Sequence, residues 1–146
     1  MNVMMIRLLS TIGLAIVAIL GVDLSAATAA TSTADAGKPA VTIAEKTMEE
    51  VESQLGKATI VDARGSGEKT IKGAEFLAAN ASDEEIKKKL ADKTAEIIVY
   101  CGNVKCPASM TLAERLVGLG YTNISHYAGG IAEWTENNKP TDEKKS

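Results

Sequence analysis

The chain has 146 residues, with 16 Lys and Arg against 19 Asp and Glu, and its formal net charge is −3 at pH 7. This weakly acidic composition argues against a nucleic-acid partner or an anionic membrane surface, both of which need a basic patch. The length suits one domain once the N-terminal segment is set aside.

Residues 1–29 have the order of regions that is typical of a secretory signal peptide. Arg7 precedes an apolar run over 8–22, and small residues follow, with Ala27 and Ala29 at the spacing that signal peptidase requires. The run has about 15 residues, short of the roughly 20 that span a bilayer. We therefore predict cleavage near Ala29, a periplasmic or secreted protein, and no stable membrane insertion afterwards. A retained N-terminal anchor is the alternative.

Strand-like and helix-like segments alternate after a flexible lead-in over 30–39. Thr47 and Glu50 have capping-box spacing, which predicts a helix that ends near Gly56, and Ser82 and Glu85 repeat that spacing. The predicted elements here are a strand over Ala40–Ile43, the first helix, a buried strand over Thr59–Asp62, a charged loop, an irregular apolar stretch over 71–77, and a helix over 83–91.

The second half of the domain contains the clearest strand, an apolar run over 95–100 of the kind that is buried on both faces of a parallel sheet. A helix then begins at Pro107, and a last strand over 122–128 leads into a short helix over 129–134. Residues 139–146 are polar and are expected to form a solvated tail. This order predicts an α/β fold with a mainly parallel sheet.

The chain's two cysteines, Cys101 and Cys106, lie on one short loop between the clearest strand and the helix that follows it. At such a junction, turn amides and the positive end of the helix dipole stabilise negative charge. We therefore expect the Cys101 thiol to be partly ionised at neutral pH and to act as a nucleophile, with Lys105 as a nearby cation. A buried structural cysteine is the alternative.

Other cysteine chemistries fit the spacing poorly. One cysteine pair supplies only two ligands and His126 lies apart on the last strand, so we predict no metal site. A thioredoxin-like pair would have two intervening residues, and a cysteine phosphatase loop would have an arginine where Pro107 stands. For Cys106, a passive loop residue, a disulfide partner of Cys101 and a residue that resolves an intermediate all stay open.

Several short motifs follow one another along the predicted domain. They are Asp62-Ala63-Arg64 at a strand end, Ile71-Lys72-Gly73-Ala74, the cysteine loop after a Val-Tyr strand end, Gly120–Ile124, and Gly129–Trp134. Together they resemble the motifs of the single-domain rhodaneses, a family of sulfurtransferases. The resemblance implies a rhodanese-like domain over 40–138, with a central, mainly parallel five-stranded sheet flanked by helices on both faces.

The resemblance also implies a site and a reaction. Cys101 would form a persulfide by taking the outer sulfur of a small anionic donor such as thiosulfate, and cyanide, a thiol or a protein acceptor would then remove it. No cofactor is implied. Asp62 and Arg64 could contact the substrate, but we expect them to form a buried ion pair or hydrogen-bond brace beneath the loop. The backbone amides that cradle the transferred sulfur would come from Gly102, Asn103, Val104, Lys105 and Cys106.

The chain departs from the family pattern at three positions. Cys106 stands where the family often has arginine or a small polar residue, Thr70 stands where histidine is frequent, and Lys72 replaces a proline. These departures leave the donor preference open. Two other functions are compatible with them: a sulfur carrier or thiol redox sensor that uses the Cys101/Cys106 pair, and a catalytically silent interaction module.

Overall fold

A computed structural model describes residues 41–143 of the chain, so the predicted signal peptide and lead-in lie outside the described residues. No helix within 41–143 is long and apolar enough to cross a membrane. The secondary-structure elements, in chain order, are β1 (Ala44–Glu45), α1 (Met48–Ser53), β2 (Thr59–Asp62), β3 (Lys69–Ile71), β4 (Glu75–Phe76), α2 (Asp83–Lys89), β5 (Ile97–Tyr100), α3 (Ala108–Gly118), β6 (Ile124–Tyr127), α4 (Gly130–Glu136) and β7 (Thr141–Glu143).

Five strands form a parallel sheet in the order β1-β6-β5-β2-β4. The strand β5 lies in the middle and is paired along its length with β2 on one side and β6 on the other. All four of its residues are buried, as the apolar sequence of this strand predicts. The sheet and the helices on both of its faces confirm the predicted fold class.

Each face of the sheet has its own apolar core because successive side chains of a strand point to opposite faces. On β5, Ile97 and Val99 enter one core, which α2 and α3 cover with Ile86 and Leu112 among others. The core on the other face contains the remaining two β5 side chains, Ile98 and Tyr100. It is covered by Val51 of α1 and by Ile131 and Trp134 of α4.

The two helix starts that the capping spacings indicate, those of α1 and α2, are present. The Thr47 hydroxyl accepts a hydrogen bond from the Glu50 amide, and the Glu50 carboxylate accepts one from the Thr47 amide, which completes the capping box of α1. The Ser82 hydroxyl accepts from the Glu85 amide at the start of α2. These bonds satisfy amides that have no partner inside their helix.

The first predicted strand was wrong in position. The sequence suggested Ala40–Ile43, whereas β1 is Ala44–Glu45, which pairs with Ser125 and His126 of β6. Ile43 instead packs against the core on the α2 and α3 face. Pairing with β6 therefore determines the position of this edge strand, and the apolar character of its residues does not.

The solvated tail predicted over 139–146 was wrong for its described part. Residues 141–143 form β7, which pairs with β3 in a separate antiparallel ribbon. The Pro140 carbonyl accepts hydrogen bonds from the Trp134 indole, at 2.8 Å, and from the Lys72 amide, at 3.1 Å. The stretch over 71–77, expected to be irregular, contains the end of β3 and the sheet strand β4.

Candidate active site

Cys101 follows β5 directly and lies at the carboxyl end of the central strand of the sheet. Its side chain is nearly inaccessible, because the whole residue is only 2% exposed, whereas Cys106 is partly exposed. A disulfide joins the two cysteines, whose Cα atoms are 6.2 Å apart. The structure described here is therefore the oxidised form of the loop.

The start of the loop is held by the first turn of α4. The amide of Ile131 donates to the Cys101 carbonyl and the amide of Ala132 to the Gly102 carbonyl, both at 3.0 Å. This approach requires glycine at position 130, which has a φ of +64° and whose added Cβ would lie 2.5 Å from the Cys101 carbonyl oxygen. The Gly-Gly pair at the start of α4 thus determines where the backbone of Cys101 lies.

The second half of the loop is held mainly by its own turn. The Asn103 carbonyl accepts from the Cys106 amide at 3.0 Å, and the Asn103 side-chain oxygen accepts from the Lys105 amide at 2.9 Å. Val104 lies at the tip and is 74% exposed. In this oxidised form, two of the predicted cradle amides donate within the loop, so their contact with a transferred sulfur stays a prediction for the reduced form.

The helix α3 follows the loop closely. Pro107 occupies its N-cap position, so the helix begins at Ala108, one residue later than the sequence suggested, and no side chain caps this N-terminus. The first amides of α3 therefore have no side-chain partner there, and the positive end of an 11-residue helix lies just after Cys106. A hydrogen bond of 2.9 Å between the Ser109 hydroxyl and Nε2 of His126 ties this first turn to β6.

The predicted ion pair lies beneath the start of the loop. Asp62 is fully buried at the end of β2, and its carboxylate accepts four hydrogen bonds from Arg64, one from the amide and three from the guanidinium group, the shortest at 2.6 Å from Nη2. Hydrogen bonding to Asp62 raises the pKa of Arg64 further above its ordinary value. A Cβ added to Gly102 would lie 3.9 Å from Cδ of Arg64, so the aliphatic part of this side chain lies beside the loop.

Tyr100 completes the buried network, and sequence reasoning missed its role. Its hydroxyl donates to Asp62 Oδ2 at 2.8 Å and accepts from the Ile71 amide at 3.0 Å. The Thr70 hydroxyl lies 2.6 Å away and must be the donor there, because the phenol proton goes to Asp62. Burial, and then the charge of Asp62, raises the pKa of Tyr100 well above its ordinary value, so the phenol stays neutral.

A cavity of about 540 Å³ opens beside the exposed tip of the loop. Its wall includes Val104 and Tyr127, and the hydroxyl of Tyr127 donates to the Glu133 carboxylate at 2.7 Å. Glu45 and Glu49 also line it, so carboxylates outnumber cations there. Within residues 41–143, no group of three or more His, Cys, Asp or Glu side chains is arranged to hold a metal ion.

These features define a class of protein: a parallel α/β domain in which a cysteine at the end of the central strand opens a short loop before a helix. The sequence model of the rhodanese-like domain matches residues 47–137, which is more than half of the chain. The chain therefore belongs to the rhodanese-like domain family. No curated protein sequence matches it significantly.

Solved structures share this fold at low identity. The BH2092 protein from Bacillus halodurans is 23% identical, with a TM-score of 0.62 over 68% of this chain and 77% of that one. The rhodanese-like domain of Alr3790 from Anabaena is 21% identical, with a TM-score of 0.60 over 68% and 79%. Thiosulfate sulfurtransferase from Pseudomonas aeruginosa is 18% identical, with a TM-score of 0.56 over 71% of this chain and 21% of that protein.

Proposed function

We propose that the protein is an exported sulfurtransferase that moves a sulfane sulfur through a persulfide on Cys101. Membership in the rhodanese-like family supports sulfur-transfer chemistry at the level of the superfamily. The observation that carries the proposal is the position of Cys101: a buried sulfur at the end of the central strand, with its carbonyl bound by the first turn of α4 and with the start of α3 close by. In the reduced form, the positive end of α3 and the amides of the loop would favour a thiolate at this position.

The first step of the proposed reaction is reduction of the disulfide, because the sulfur of Cys101 is a nucleophile only as a thiolate. The Cys101 thiolate then attacks the outer sulfur of thiosulfate. A sulfur–sulfur bond forms at Cys101, the bond within thiosulfate breaks, and sulfite leaves with the electron pair. Cyanide or a thiol next attacks the outer sulfur of the persulfide and restores the thiolate.

The residues around Cys101 have separate parts in this proposal. Lys105 on the loop supplies positive charge near an anionic donor, and Arg64, whose charge is balanced by Asp62, supports the loop beside Gly102. Asp62 and Tyr100 hold Arg64 and the end of β5 in place through the buried network. In the reduced form, the amides of the loop over 102–106 and of the first turn of α3 would stabilise the negative outer sulfur.

The identity of the donor, thiosulfate, is a more specific part of the proposal. It is supported by the name of the Pseudomonas aeruginosa relative, of which this chain spans 21%. Export to the periplasm or out of the cell depends on residues 1–29, whose sequence order is the support for it. The partners we propose are a small anionic donor and a cyanide, thiol or protein acceptor, with no nucleic acid.

A second candidate function is a thiol redox sensor, and the Cys101–Cys106 disulfide favours it. In that case oxidation and reduction of the loop would themselves be the signal, without net transfer of sulfur. The two functions differ in what happens to thiosulfate. A sensor would leave it intact, whereas a sulfurtransferase would convert it to sulfite.

The test is to incubate the purified protein with thiosulfate after reduction and removal of the reductant, and to measure sulfite and the intact protein mass. We expect sulfite from the wild type and none from Cys101→Ser. With Cys106→Ser, a gain of one sulfur atom should be visible, and cyanide should then yield thiocyanate. If reduced wild type and Cys106→Ser both release no sulfite, the sulfurtransferase proposal is wrong and the sensor function is favoured.

A further inference from the structure

We propose that Cys106 resolves the Cys101 persulfide by itself, releases the outer sulfur as hydrosulfide, and leaves the disulfide that the structure contains. The inference rests on the proposed persulfide and assigns to it a product, a resolving residue and a reductant. The protein would then be a sulfide-releasing enzyme that is driven by a dithiol. An external sulfur acceptor such as cyanide would be an alternative outlet for the sulfur.

The first argument is the reach of Cys106. The disulfide places its sulfur on the sulfur of Cys101, and the Cα separation of 6.2 Å lies within the range of roughly 4.4–6.8 Å found for disulfides. The turn at Asn103, closed by the Cys106 amide, brings the end of the loop back over its start. The Cys106 sulfur therefore occupies the same covalent position that the outer sulfur of a persulfide would take.

The second argument is the difference in accessibility between the two cysteines. In the oxidised form, Cys101 is 2% exposed and its backbone is held by α4, so its sulfur lies mostly out of contact with solvent. Cys106 is partly exposed and is part of the loop itself. A nucleophile that is already tethered next to the reacting sulfur has a high effective concentration, which an acceptor from solution must exceed.

The third argument is that the step balances without another oxidant. The Cys106 thiolate attacks the inner sulfur, which is the Cys101 sulfur, and forms the Cys101–Cys106 bond. The bond between the inner and outer sulfurs breaks, and the outer sulfur leaves with the electron pair and takes a proton to become hydrosulfide. The two cysteines are oxidised to the disulfide, and the sulfane sulfur is reduced to sulfide.

The regeneration step follows from the difference in exposure between Cys101 and Cys106. A small dithiol from solution attacks the partly exposed Cys106 sulfur and forms a mixed disulfide, with Cys101 as the leaving thiolate. The uncapped start of α3 stabilises that leaving group. The second thiol of the reductant then frees Cys106. The net reaction converts thiosulfate and a dithiol into sulfite, hydrosulfide, a proton and the oxidised dithiol.

The experiment is a single turnover of the reduced, reductant-free protein with one equivalent of thiosulfate, with sulfite, sulfide and intact mass measured together. For the wild type we expect sulfite and sulfide in equal amounts, and a protein two hydrogens lighter than the dithiol form. Cys106→Ser should release sulfite, retain one extra sulfur and release no sulfide. Cys106→Ala is the second variant, and the thermal unfolding of both is compared with that of the wild type.

Steady-state assays sharpen the result. With excess thiosulfate and dithiothreitol, we expect sulfide production by Cys106→Ser to be at least about tenfold slower than by the wild type, because the tethered nucleophile is gone. Thiocyanate formation with excess cyanide should remain detectable in that variant, because cyanide takes the outer sulfur without the Cys106 thiol. Cys101→Ser should lack both activities.

The possible failures are distinguishable. If the wild type releases sulfite but keeps a stable persulfide and releases no sulfide, this inference is overturned and the sulfurtransferase proposal stands. If peptide mapping finds the extra sulfur on Cys106, the sulfur is relayed between the cysteines and the resolving step is overturned as well. If the wild type releases no sulfite, the underlying sulfurtransferase proposal fails first. The wild-type measurement decides among these outcomes even if both Cys106 variants misfold.

Discussion

The two ends of the cysteine loop are held by different means. At the first end, the carbonyls of Cys101 and Gly102 accept hydrogen bonds from α4, and the Asp62–Tyr100 network lies directly below. At the second end, the turn is closed mostly by its own residue Asn103, and the tip residue Val104 is 74% exposed. The first end is part of the core, whereas the second end lies on the surface.

This difference suits a pair of cysteines with unequal parts. A nucleophile that must meet a small donor in one geometry benefits from a backbone that is bound on several sides. A resolving residue that must also meet a reductant from solution benefits from exposure. If the comparison is right, substitutions under the first end should lower the free energy of unfolding much more than changes at the second end. The following predictions test this, from the largest expected effect to the smallest.

Gly130→Ala should be the most damaging of these changes. The added Cβ would meet the Cys101 carbonyl oxygen at 2.5 Å, and the φ of +64° is itself unfavourable for alanine. We expect a loss of about 2–4 kcal/mol in the free energy of unfolding, measured by urea denaturation, because the collision adds to a conformational cost of about 1–2 kcal/mol. Sulfite release by the reduced variant should fall as well, because Cys101 moves with its carbonyl.

The matched control for this substitution is Gly118→Ala. Gly118 ends α3, and an added Cβ there would meet nothing within 4 Å. We expect the free energy of unfolding to change by less than about 1 kcal/mol, since alanine is favoured over glycine in a helix. Equal losses in the two variants would show that the contact between α4 and the start of the loop is unimportant.

Tyr100→Phe should have the next largest effect. The change removes the donor to Asp62 and the acceptor for the Ile71 amide, and it leaves both groups buried without this partner. We expect a loss of about 2–3 kcal/mol in the free energy of unfolding, because each buried unpaired group costs about 1–3 kcal/mol.

Tyr121→Phe is the matched control, on the opposite face of the sheet. Tyr121 is equally buried, but its hydroxyl only donates to the Leu90 carbonyl, at 2.6 Å. We expect this variant to lose about 1 kcal/mol in a urea titration. A control loss as large as that of Tyr100→Phe would argue against a special supporting network beneath Cys101.

Much of the fold could be predicted because its strongest signals are local. The apolar run of β5 and the capping residues Thr47 and Ser82 indicate their elements without any knowledge of distant contacts. The positions of β1 and β7 could not be predicted in this way. Both are short edge strands whose placement depends on pairing with β6 and β3, and such pairing leaves little trace in composition.

The candidate site shows the same difference between local signals and long-range contacts. Cys101, the loop over 102–106 and the Asp62–Arg64 pair could be found from the order of strand, cysteine and helix together with the motif resemblance. The roles of Thr70 and Tyr100 could not be predicted. These residues are 30 positions apart and meet only when β3 packs beneath the end of β5. A tyrosine at the end of an otherwise aliphatic strand was the available signal, since a buried phenol needs a polar partner.

The smallest effect concerns the second end of the loop and depends on pH. His126 holds Ser109 at the start of α3, and burial lowers the pKa of His126 below its ordinary value of 6.5, with a smaller opposing effect from the Glu45 carboxylate. The unfolded chain therefore binds a proton more readily than the folded protein does. As the pH falls through 6.5, the free energy of unfolding should decrease, and this contribution should level off below the folded pKa.

The comparison variant is His126→Gln, measured beside the wild type from pH 8 to pH 5 by urea denaturation. Because His126 is the chain's single histidine, the difference between the two proteins isolates its titration from that of the carboxylates. The difference in the free energy of unfolding between the wild type and the variant should become smaller as the pH falls. A difference that stays constant across this range would mean that protonation of His126 does not loosen the start of α3. The second end of the loop would then depend on its own turn and on the disulfide alone.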